Sequence, residues 1–261
     1  MEGSLLSDPL HFWLVALGIA MTAGSANALN MYFDRDIDAK MERTSRRRPL
    51  PLHQIEPAHA AIFGIVIGGL AIGYFLFLHN WVAAFWSFFT IAFYVGIYTL
   101  WLKRRTPYNI VIGGVAGSTA PLIGWAAASG EVSLVAWVLF LVVFLWTPPH
   151  FWALAISIQD EYKKVGVPML PVTHGDRRTR LEIVIYTLLL IPVSLAPYFL
   201  GASGKVFLSG ALAAAVFYLW KTFVLVREGT REASKRLFWV SILYLFTLFI
   251  VLLVDALLVR R

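Results

Sequence analysis

Residues 11–48 read HFWLVALGIAMTAGSANALNMYFDRDIDAKMERTSRRR, an apolar run that ends in a cluster of acids and arginines. A segment of about 20 apolar residues is long enough to cross the hydrocarbon core of a bilayer. The apolar part therefore predicts a membrane helix, and the charged part marks where that helix leaves the bilayer. Asn30, Asp34 and Asp38 follow each other at four-residue spacing, which places their side chains along one face of a continuing helix.

The composition of the chain extends this prediction to an all-α, polytopic membrane helix bundle. Of its 261 residues, 59% are hydrophobic and 14% are charged, which is too apolar for a soluble domain. The absence of cysteine excludes disulfides and thiolate metal sites. Eight apolar segments have membrane-spanning length, and we expect them to form a single domain over residues 1–261. The predicted segments are 10–31, 57–78, 81–102, 108–129, 132–157, 181–201, 204–226 and 237–258.

The basic residues indicate which side of the membrane each loop faces. Nineteen of the 22 Lys and Arg residues follow the first, third, fifth and seventh segments, and by the positive-inside rule that side is cytoplasmic. The net charge of +7 is therefore a topology signal, and the expected partner is a lipid bilayer with no nucleic acid. Residues 1–10 lack the basic and apolar regions of a signal peptide, so we expect a multi-pass protein of the cell membrane.

Asn30, Asp34 and Asp38 need a positive partner. Two carboxylates four residues apart repel each other, and anions are disfavoured at the C-terminal end of a helix. Carboxylate and amide oxygens suit hard divalent ions such as Mg²⁺, which completes its coordination with water and substrate phosphates. The three residues therefore predict a magnesium site, and the arginines that follow them predict phosphate contacts.

A purely structural explanation of the same acids stays open. Arg35, Lys40 and Arg43 are close enough in sequence to neutralise them as ion pairs within a solvated loop. Asp36 lies on the opposite helix face and is expected to pair with basic neighbours. Spacing alone does not separate a metal site from a set of local salt bridges.

A second charged cluster follows the fifth apolar segment. Asp160 and Glu161 emerge from this segment and are followed by Lys163 and Lys164. Both clusters end their segments on the predicted cytoplasmic side, so a helix bundle can bring them together around one diphosphate with bridging metal ions. The two clusters therefore predict a shared site for an anionic substrate.

Residues that are unusual in a membrane segment precede this second cluster. Pro148 and Pro149 each remove a backbone donor, so they are expected to break or kink the fifth helix. The backbone groups that they free need partners in protein or cavity water, because lipid supplies none. His150 follows directly, and a histidine at this depth predicts a functional role, with hydrogen bonding between helices as the alternative.

Three blocks of this sequence resemble the signature blocks of the protoheme IX farnesyltransferase family, a branch of the intramembrane prenyltransferase superfamily. The resemblance runs from about residue 10 to the C-terminus. The first block carries the N-x-x-x-D-x-x-x-D element of the superfamily, whereas the other two are specific to the heme-modifying family. The blocks are SANALNMYFDRDIDAKMERT at 25–44, LKRRTPYNIVIGGVAGSTAPLIGW at 102–125, and WTPPHFWALAI at 146–156 followed by YKKVGVPMLPV at 162–172.

The resemblance implies a reaction between two hydrophobic substrates, heme B and farnesyl diphosphate. The farnesyl group is transferred to the 2-vinyl group of protoheme IX (heme B), water adds as well, and the product is heme O. Mg²⁺ and cationic side chains would stabilise the leaving diphosphate, and aromatic rings would shelter the allylic cation. Handover of the product to heme A synthase or to terminal oxidase assembly is also expected.

The resemblance also assigns roles to individual residues. Catalysis is expected to depend on Asn30, Asp34, Asp38 and Asp160. Mg²⁺ would be held by these four residues and Glu161. Diphosphate would be bound by Arg43, Arg48, Lys103, Arg104 and Lys164. Heme would be contacted by His150, as an axial ligand or at a propionate, and by Asn109.

Two features depart from the wider superfamily. The superfamily carries a second D-x-x-x-D element, but Asp160 has Ile156 before it and Lys164 after it at that spacing, so the number of Mg²⁺ ions is open. The superfamily also has nine membrane helices, whereas the apolar segments of this chain number eight. The first helix is the one expected to be missing, because residues 1–13 resemble the loop that follows it.

Other functions remain open from the sequence. Prenylation of an aromatic acid such as 4-hydroxybenzoate would use the same fold. A heme or cation transporter would also place acids and histidine at membrane depth, but its sites are expected at the bilayer midplane among broken helices. A non-catalytic heme-handling protein would not need Asp34 or Asp38. The grouping of the acids beside arginines at one interface favours diphosphate chemistry.

Overall fold

A computed structural model describes residues 8–259 of the chain. The interpretations of the N-terminal residues 1–7 and of Arg260 and Arg261 lie outside the described residues. Within 8–259 the regular elements are helices without strands, as the composition predicted. In chain order, α1 to α12 are Pro9–Phe33, Arg35–Asp38, Glu42–Ser45, Pro57–Leu78, Trp81–Ala92, Asn109–Gly117, Ala120–Ser129, Leu134–Ser157, Gln159–Lys164, Leu170–Phe199, Lys205–Glu228 and Arg231–Val259, and a π-helical segment, Phe93–Leu102, follows α5 directly.

Eight helical segments of this part of the chain are long and apolar enough to cross a membrane. They confirm the predicted all-α, polytopic class and the predicted number of spans. The third span joins α5 to the π-helical segment, and the fourth joins α6 to α7. The spans are Pro9–Phe33, Pro57–Leu78, Trp81–Leu102, Asn109–Ser129, Leu134–Ser157, Leu170–Phe199, Lys205–Glu228 and Arg231–Leu258.

The sixth span begins earlier than the sequence indicated. Its start was expected at 181, but α10 already begins at Leu170 and includes the polar stretch PVTHGDRR. Pro171 lies in the first turn, where a missing backbone donor costs no intrahelical hydrogen bond. Gly175 has a φ of 77°, a left-handed conformation that a residue without Cβ adopts readily. The polar stretch is therefore a kinked helical entry to the span and not a loop.

The chain divides into two compact units. The first contains the residues up to Phe140 together with Glu161–Val167, and the second contains Leu141–Asp160 together with the residues from Pro168 onward. In the first unit α1 packs against α4, α5, α7 and the π-helical segment. In the second unit α11 packs against α10 and α12. The N-x-x-x-D-x-x-x-D element belongs to the first unit.

Small residues let the helices of the first unit approach closely. Gly64 and Gly68 of α4 face α1, where Ser25 Oγ donates a 2.7 Å hydrogen bond to the carbonyl of Gly64. Gly113 of α6 packs against the ring of Tyr98, so a Cβ at this position would lie 2.3 Å from Tyr98 Cδ2. Such close contacts are typical of membrane helices, whose association depends on van der Waals packing and not on exclusion of water.

The third span changes from α-helix to π-helix as it approaches the charged loop that follows it. The backbone N–H of Lys103 donates to the carbonyl of Tyr98, five residues back, at 2.9 Å. Within the segment, Thr99 Oγ1 donates to the carbonyl of Tyr94, also five residues back, at 2.8 Å. π-Helical turns are rare and occur frequently at functional sites. This one ends at the first residue of a basic loop.

Two buried polar side chains of the second unit, Asp255 and Tyr244, have hydrogen-bond partners within the protein, which the bilayer core could not supply. Asp255 of α12 accepts hydrogen bonds from the backbone N–H groups of Gly204 and Phe207 at 2.5 and 3.1 Å. These bonds cap the N-terminus of α11, because the first N–H groups of a helix have no partner within it. The hydroxyl of Tyr244 donates to Ser194 Oγ at 2.7 Å.

Replacing Gly113 by alanine should destabilise the first unit. The new Cβ would overlap the Tyr98 ring, and overpacking of this kind typically costs about 1–3 kcal/mol. We expect a lower midpoint of thermal unfolding, measured on the detergent-purified protein by size-exclusion chromatography after heating. Gly69→Ala is the matched control, because nothing lies within 4 Å of a Cβ at that position. An unchanged midpoint for Gly113→Ala would contradict the packing of Tyr98 on α6.

Candidate active site

Asn30, Asp34 and Asp38 follow one helical register although α1 ends at Phe33. The backbone N–H of Asp34 donates to Asn30 O at 2.9 Å, and that of Asp38 donates to Asp34 O at 2.8 Å. The register therefore continues from α1 into α2, and the side chains stay on one face. The three residues are only 2%, 0% and 3% exposed, so the acidic stripe is buried and is not part of a solvated loop.

Cations neutralise the two buried carboxylates. The Lys103 ammonium is hydrogen-bonded to Asp34 Oδ2, and Arg48 Nη1 is hydrogen-bonded to Asp38 Oδ2. Arg104 Nη2 lies 3.9 Å from Asp34 Oδ1, an atom with no hydrogen-bond partner among residues 8–259. The positive partners expected from the repulsion between the acids are therefore present. Two of the three come from the loop after the third span.

The nearby basic residues Arg35, Lys40 and Arg43 are not among the ion-pair partners of Asp34 and Asp38. Arg35 Nη1 donates to the carbonyl of Tyr32 at 2.7 Å, and its guanidinium carbon lies 4.8 Å from the centroid of the Tyr32 ring. Arg43 donates its backbone N–H to Glu161 Oε2 at 3.0 Å. Neither guanidinium takes part in the ion pairs that neutralise the stripe. Local salt bridges from Arg35 and Arg43 therefore do not explain the acids.

Asp36 pairs with a basic residue, as predicted for the opposite helix face. Arg104 Nη1 and Nη2 donate to its two carboxylate oxygens at 2.8 and 2.6 Å. The hydrogen bonds from Arg104 hold the pKa of Asp36 below its ordinary value, and the same bonds raise the pKa of Arg104. A bidentate guanidinium suits a phosphate as well as a carboxylate. The diphosphate role of Arg104 stays a prediction.

The second charged cluster is divided between the two units. Glu161 lies in the first unit, where its contact with the Arg43 backbone ties it to α3, and Lys164 of the same unit is exposed. Asp160 lies in the second unit, where it accepts a 2.7 Å hydrogen bond from Arg231 Nη1. The metal and diphosphate roles of these acids and of Lys164 stay predictions.

The two prolines of the fifth span do not end its helix. α8 continues through Pro148 and Pro149 to Ser157, so the break considered from the sequence does not occur. Thr147, directly before them, donates its hydroxyl to the carbonyl of Val143 at 2.8 Å. This is the ordinary back-bond of a helical threonine, and it does not replace a donor that the prolines remove.

His150 is buried in the second unit between two aromatic rings. The ring centroids of Trp146 and Phe238 lie 4.2 and 4.5 Å from that of His150. Its Nδ1 lies 2.7 Å from Ser241 Oγ, and this hydroxyl donates to the carbonyl of Phe238 at 2.6 Å. Because a serine has one hydroxyl proton and a carbonyl can only accept, Nδ1 is the donor to Ser241. In the neutral ring, Nε2 then carries the lone pair.

Asn109 is fully buried at the start of α6 in the first unit. Its Nδ2 donates to the carbonyl of Thr106 at 2.6 Å, whereas Oδ1 has no hydrogen-bond partner in the described part of the chain. A buried acceptor without a partner is uncommon in native proteins. Asn109 and His150 belong to different units, and their heme contacts stay predictions.

Sequence reasoning missed two polar residues that hold predicted site residues in place. Thr99 Oγ1 accepts a 3.1 Å hydrogen bond from Asn30 Nδ2, and Ser241 Oγ accepts the bond from His150 Nδ1. Both are small polar side chains within apolar spans, a signal that recurs along the chain. Nothing in their spacing connects them to partners on other helices.

The oxygen atoms of the acidic stripe fit a divalent metal ion that shares its coordination with a substrate. Asn30, Asp34 and Asp38 offer amide and carboxylate oxygens, and Asp34 Oδ1 is buried without a hydrogen bond. Within residues 8–259 no three His, Cys, Asp or Glu side chains are grouped so that they could hold a metal. Water and diphosphate oxygens would complete the coordination, as is usual for Mg²⁺.

Solved structures with a similar fold define the class of protein. A digeranylgeranylglyceryl phosphate synthase matches with a TM-score of 0.78 at 21% identity, covering 95% of this chain and 86% of that one. A UbiA homolog from Archaeoglobus fulgidus, bound to DMAPP and Mg²⁺, matches with a TM-score of 0.70 at 19% identity, covering 96% and 89%. With its eight spans, this chain is a multi-pass membrane protein with the fold of the intramembrane prenyltransferases.

Similarity of sequence defines the family. The model of the UbiA prenyltransferase family matches residues 1–253, so the chain belongs to that family. A protoheme IX farnesyltransferase from Parvibaculum lavamentivorans is 49% identical over 254 residues, which are 96% of this chain and 80% of the relative. One from Gloeobacter violaceus is 47% identical over 250 residues, which are 95% and 82%. The resemblance drawn from the three sequence blocks is confirmed.

Replacing Lys103 by methionine should destabilise the first unit more than the loss of an exposed ion pair does. The Asp34 side chain is 1% exposed, and removing one partner of a buried pair typically costs about 3–5 kcal/mol. We expect a clearly lower midpoint of thermal unfolding in detergent. Adding Asp34→Asn to Lys103→Met should restore part of the lost midpoint, because the unpaired carboxylate charge of Asp34 is then removed.

The control for this cycle is Arg46→Met. Arg46 and Glu42 form an exposed pair with side chains 79% and 67% accessible, and such pairs contribute little to stability. Equal shifts for Lys103→Met and Arg46→Met, or no recovery in the double variant, would show that the Lys103 contact does not compensate a buried charge.

Proposed function

We propose that this chain transfers the farnesyl group of farnesyl diphosphate to the 2-vinyl group of heme B. Farnesyl diphosphate, heme B and water give heme O and diphosphate: the carbon–oxygen bond to diphosphate breaks, a carbon–carbon bond to the vinyl group forms, and water supplies the hydroxyl. The observation that carries the proposal is the buried stripe of Asn30, Asp34 and Asp38, against which Lys103 and Arg48 are held. The protoheme IX farnesyltransferases at 47–49% identity support heme B as the acceptor.

The acids and cations of the stripe would exchange partners when substrate binds. Mg²⁺, when bound to the acids, would neutralise charge that develops on the leaving diphosphate. Lys103 and Arg48 would then donate to phosphate oxygens in place of Asp34 and Asp38. Every buried charge keeps an opposite charge beside it in both arrangements, which avoids the penalty of an unpaired ion. The proposed metal ligands are Asn30, Asp34, Asp38, Asp160 and Glu161. The proposed diphosphate ligands are Arg43, Arg48, Lys103, Arg104 and Lys164.

His150 and Asn109 are the side chains that we propose for heme recognition. With Nδ1–H donating to Ser241, the lone pair of His150 Nε2 is the one that can bind iron as an axial ligand. Stacking between Trp146 and Phe238 restricts rotation of the ring, so the ligand is held in one orientation. The unpartnered Oδ1 of Asn109 is a second polar atom available to the substrate.

The membrane context completes the proposal. The positive-inside rule supports the cytoplasmic side of the cell membrane for the acidic motifs. Heme O would pass to heme A synthase or to terminal oxidase assembly. The family match over residues 1–253 includes residues of both units, which supports one prenyltransferase domain over residues 1–261.

The direct test is product formation by the purified chain. Heme B, farnesyl diphosphate and Mg²⁺ should give heme O, identified by its mass, and EDTA should abolish the product. Asp34→Ala should lower the rate by at least about 100-fold, because a charge-stabilising group at the leaving diphosphate is lost. Glu131→Gln, an exposed acid in the loop before α8, should react like the wild type.

The acceptor is tested in the same assay with 4-hydroxybenzoate in place of heme B. A prenylated benzoate without heme O would replace the proposed acceptor by an aromatic acid on the same fold. Product of neither kind, under conditions in which the chain remains folded, would argue against transfer chemistry altogether. Full activity of Asp34→Ala would remove the stripe from the mechanism.

His150→Ala should weaken binding of heme B by about 10-fold or more, which corresponds to about 1.4 kcal/mol or more. The iron would lose a nitrogen ligand, so the visible absorption spectrum of the bound heme should change as well. A spectroscopic titration of the detergent-purified protein measures both effects. His53→Ala, an exposed histidine in the loop before α4, is the control. An unaltered spectrum in His150→Ala would exclude an axial role for His150. The reaction itself is tested by the product assay.

A further inference from the structure

Thr99 connects Asn30 to the backbone of the π-helical segment. Its hydroxyl donates to the carbonyl of Tyr94 at 2.8 Å, and its oxygen accepts a 3.1 Å hydrogen bond from Asn30 Nδ2. Both Thr99 and Asn30 are 2% exposed, so water does not compete freely for these contacts. Thr99 is therefore a buried link between α1 and the third span.

The pattern of donors and acceptors fixes the orientation of the Asn30 amide. Asp34 Oδ2 lies 2.6 Å from Asn30 Nδ2, and a carboxylate oxygen can only accept. The single hydroxyl proton of Thr99 is directed to Tyr94, so Thr99 can only accept from Asn30. Both neighbours therefore require the NH₂ group. A reversed amide would place its oxygen against two acceptors and leave buried polar atoms unpaired, which is costly.

The geometry of the π-helix makes this arrangement possible. A threonine in an α-helix bonds back to the carbonyl three or four residues before it. Thr90, in the α-helical part of the same span, follows this rule and donates to the carbonyl of Trp86 at 2.7 Å. Thr99 instead donates to the carbonyl five residues back, and its lone pairs are left for Asn30. The π-helical turn thus places a hydrogen-bond acceptor, Thr99 Oγ1, beside the Asn30 amide.

We propose that Thr99 is a positioning residue that orients Asn30 so that Oδ1 is presented to the divalent metal ion of the diphosphate site. The inference rests on the proposed function, in which Asn30 is a metal ligand. Thr99 acts through Asn30 and touches neither metal nor substrate. Without the hydroxyl, only Asp34 still requires the NH₂ group, and Asp34 is itself a proposed metal ligand, so the orientation of the Asn30 amide is held less firmly.

The test separates orientation from folding by comparing three threonine variants. Thr99→Val removes the hydroxyl at nearly constant shape, and Thr99→Ser keeps it. Thr179→Val is the matched control, because Thr179 is also fully buried and bonds back to the carbonyl of Gly175 within its own helix. Binding of Mn²⁺ in the presence of inorganic diphosphate is measured on the purified chain by electron paramagnetic resonance of the free ion. This readout does not depend on turnover.

We expect Thr99→Val to raise the dissociation constant of Mn²⁺ by about 10-fold or more, as is typical when a residue that orients a metal ligand is lost. Thr99→Ser and Thr179→Val should remain within about twofold of the wild type. In the heme O assay, Thr99→Val should need a correspondingly higher Mg²⁺ concentration, with little change in rate at saturating Mg²⁺.

Three results would overturn the proposal. They are wild-type Mn²⁺ binding by Thr99→Val, equal weakening in Thr99→Val and Thr179→Val, and no Mn²⁺ binding by the wild-type chain with diphosphate. Formation of heme O by the wild type is measured in a separate assay. Metal binding that depends on Thr99 without heme O would reject the proposed reaction while keeping the positioning role. Heme O formation by the wild type, together with unchanged Mn²⁺ binding by Thr99→Val, would reject the positioning role and keep the proposed reaction.

Discussion

Two carboxylates buried at the end of a membrane helix require positive charge beside them, and much of the first unit is organised around that requirement. The side chains of Asp34 and Asp38 are 1% and 4% exposed, so water cannot compensate their charge. Arg48 reaches Asp38 from the first polar loop, whereas Lys103 reaches Asp34 from the end of the third span. The positions of α1 and of the third span are therefore coupled through charge as well as through packing.

The third span also contacts Asn30, the first residue of the acidic stripe. Its π-helical end brings the hydroxyl of Thr99 to Asn30 and ends where Lys103 begins the basic loop. Thr99, which we propose to orient Asn30, and Lys103, which neutralises Asp34, thus lie four positions apart, one within the π-helical segment and one directly after it. Close approach of this element depends on Gly113, which leaves room for the Tyr98 ring.

The two units carry sites of different chemistry. The first holds oxygen atoms and cations, which suit a metal ion and a diphosphate. The second holds a histidine stacked between two aromatic rings, with its Nδ1 2.7 Å from Ser241 Oγ. The family match and the buried acidic stripe of the first unit both support the proposed reaction.

The sequence by itself determined the number of spans, the stripe of Asn30, Asp34 and Asp38, and the family. These features depend on residue order alone: apolar length decides whether a segment crosses a bilayer, and four-residue spacing decides which side chains share a helix face. Only the tertiary structure decided that Lys103 and Arg48 neutralise the stripe, that Arg104 pairs with Asp36, and that Thr99 orients Asn30. Except for Arg48, these partners lie on helices or loops distant in sequence, and which of them meet depends on close packing between helices.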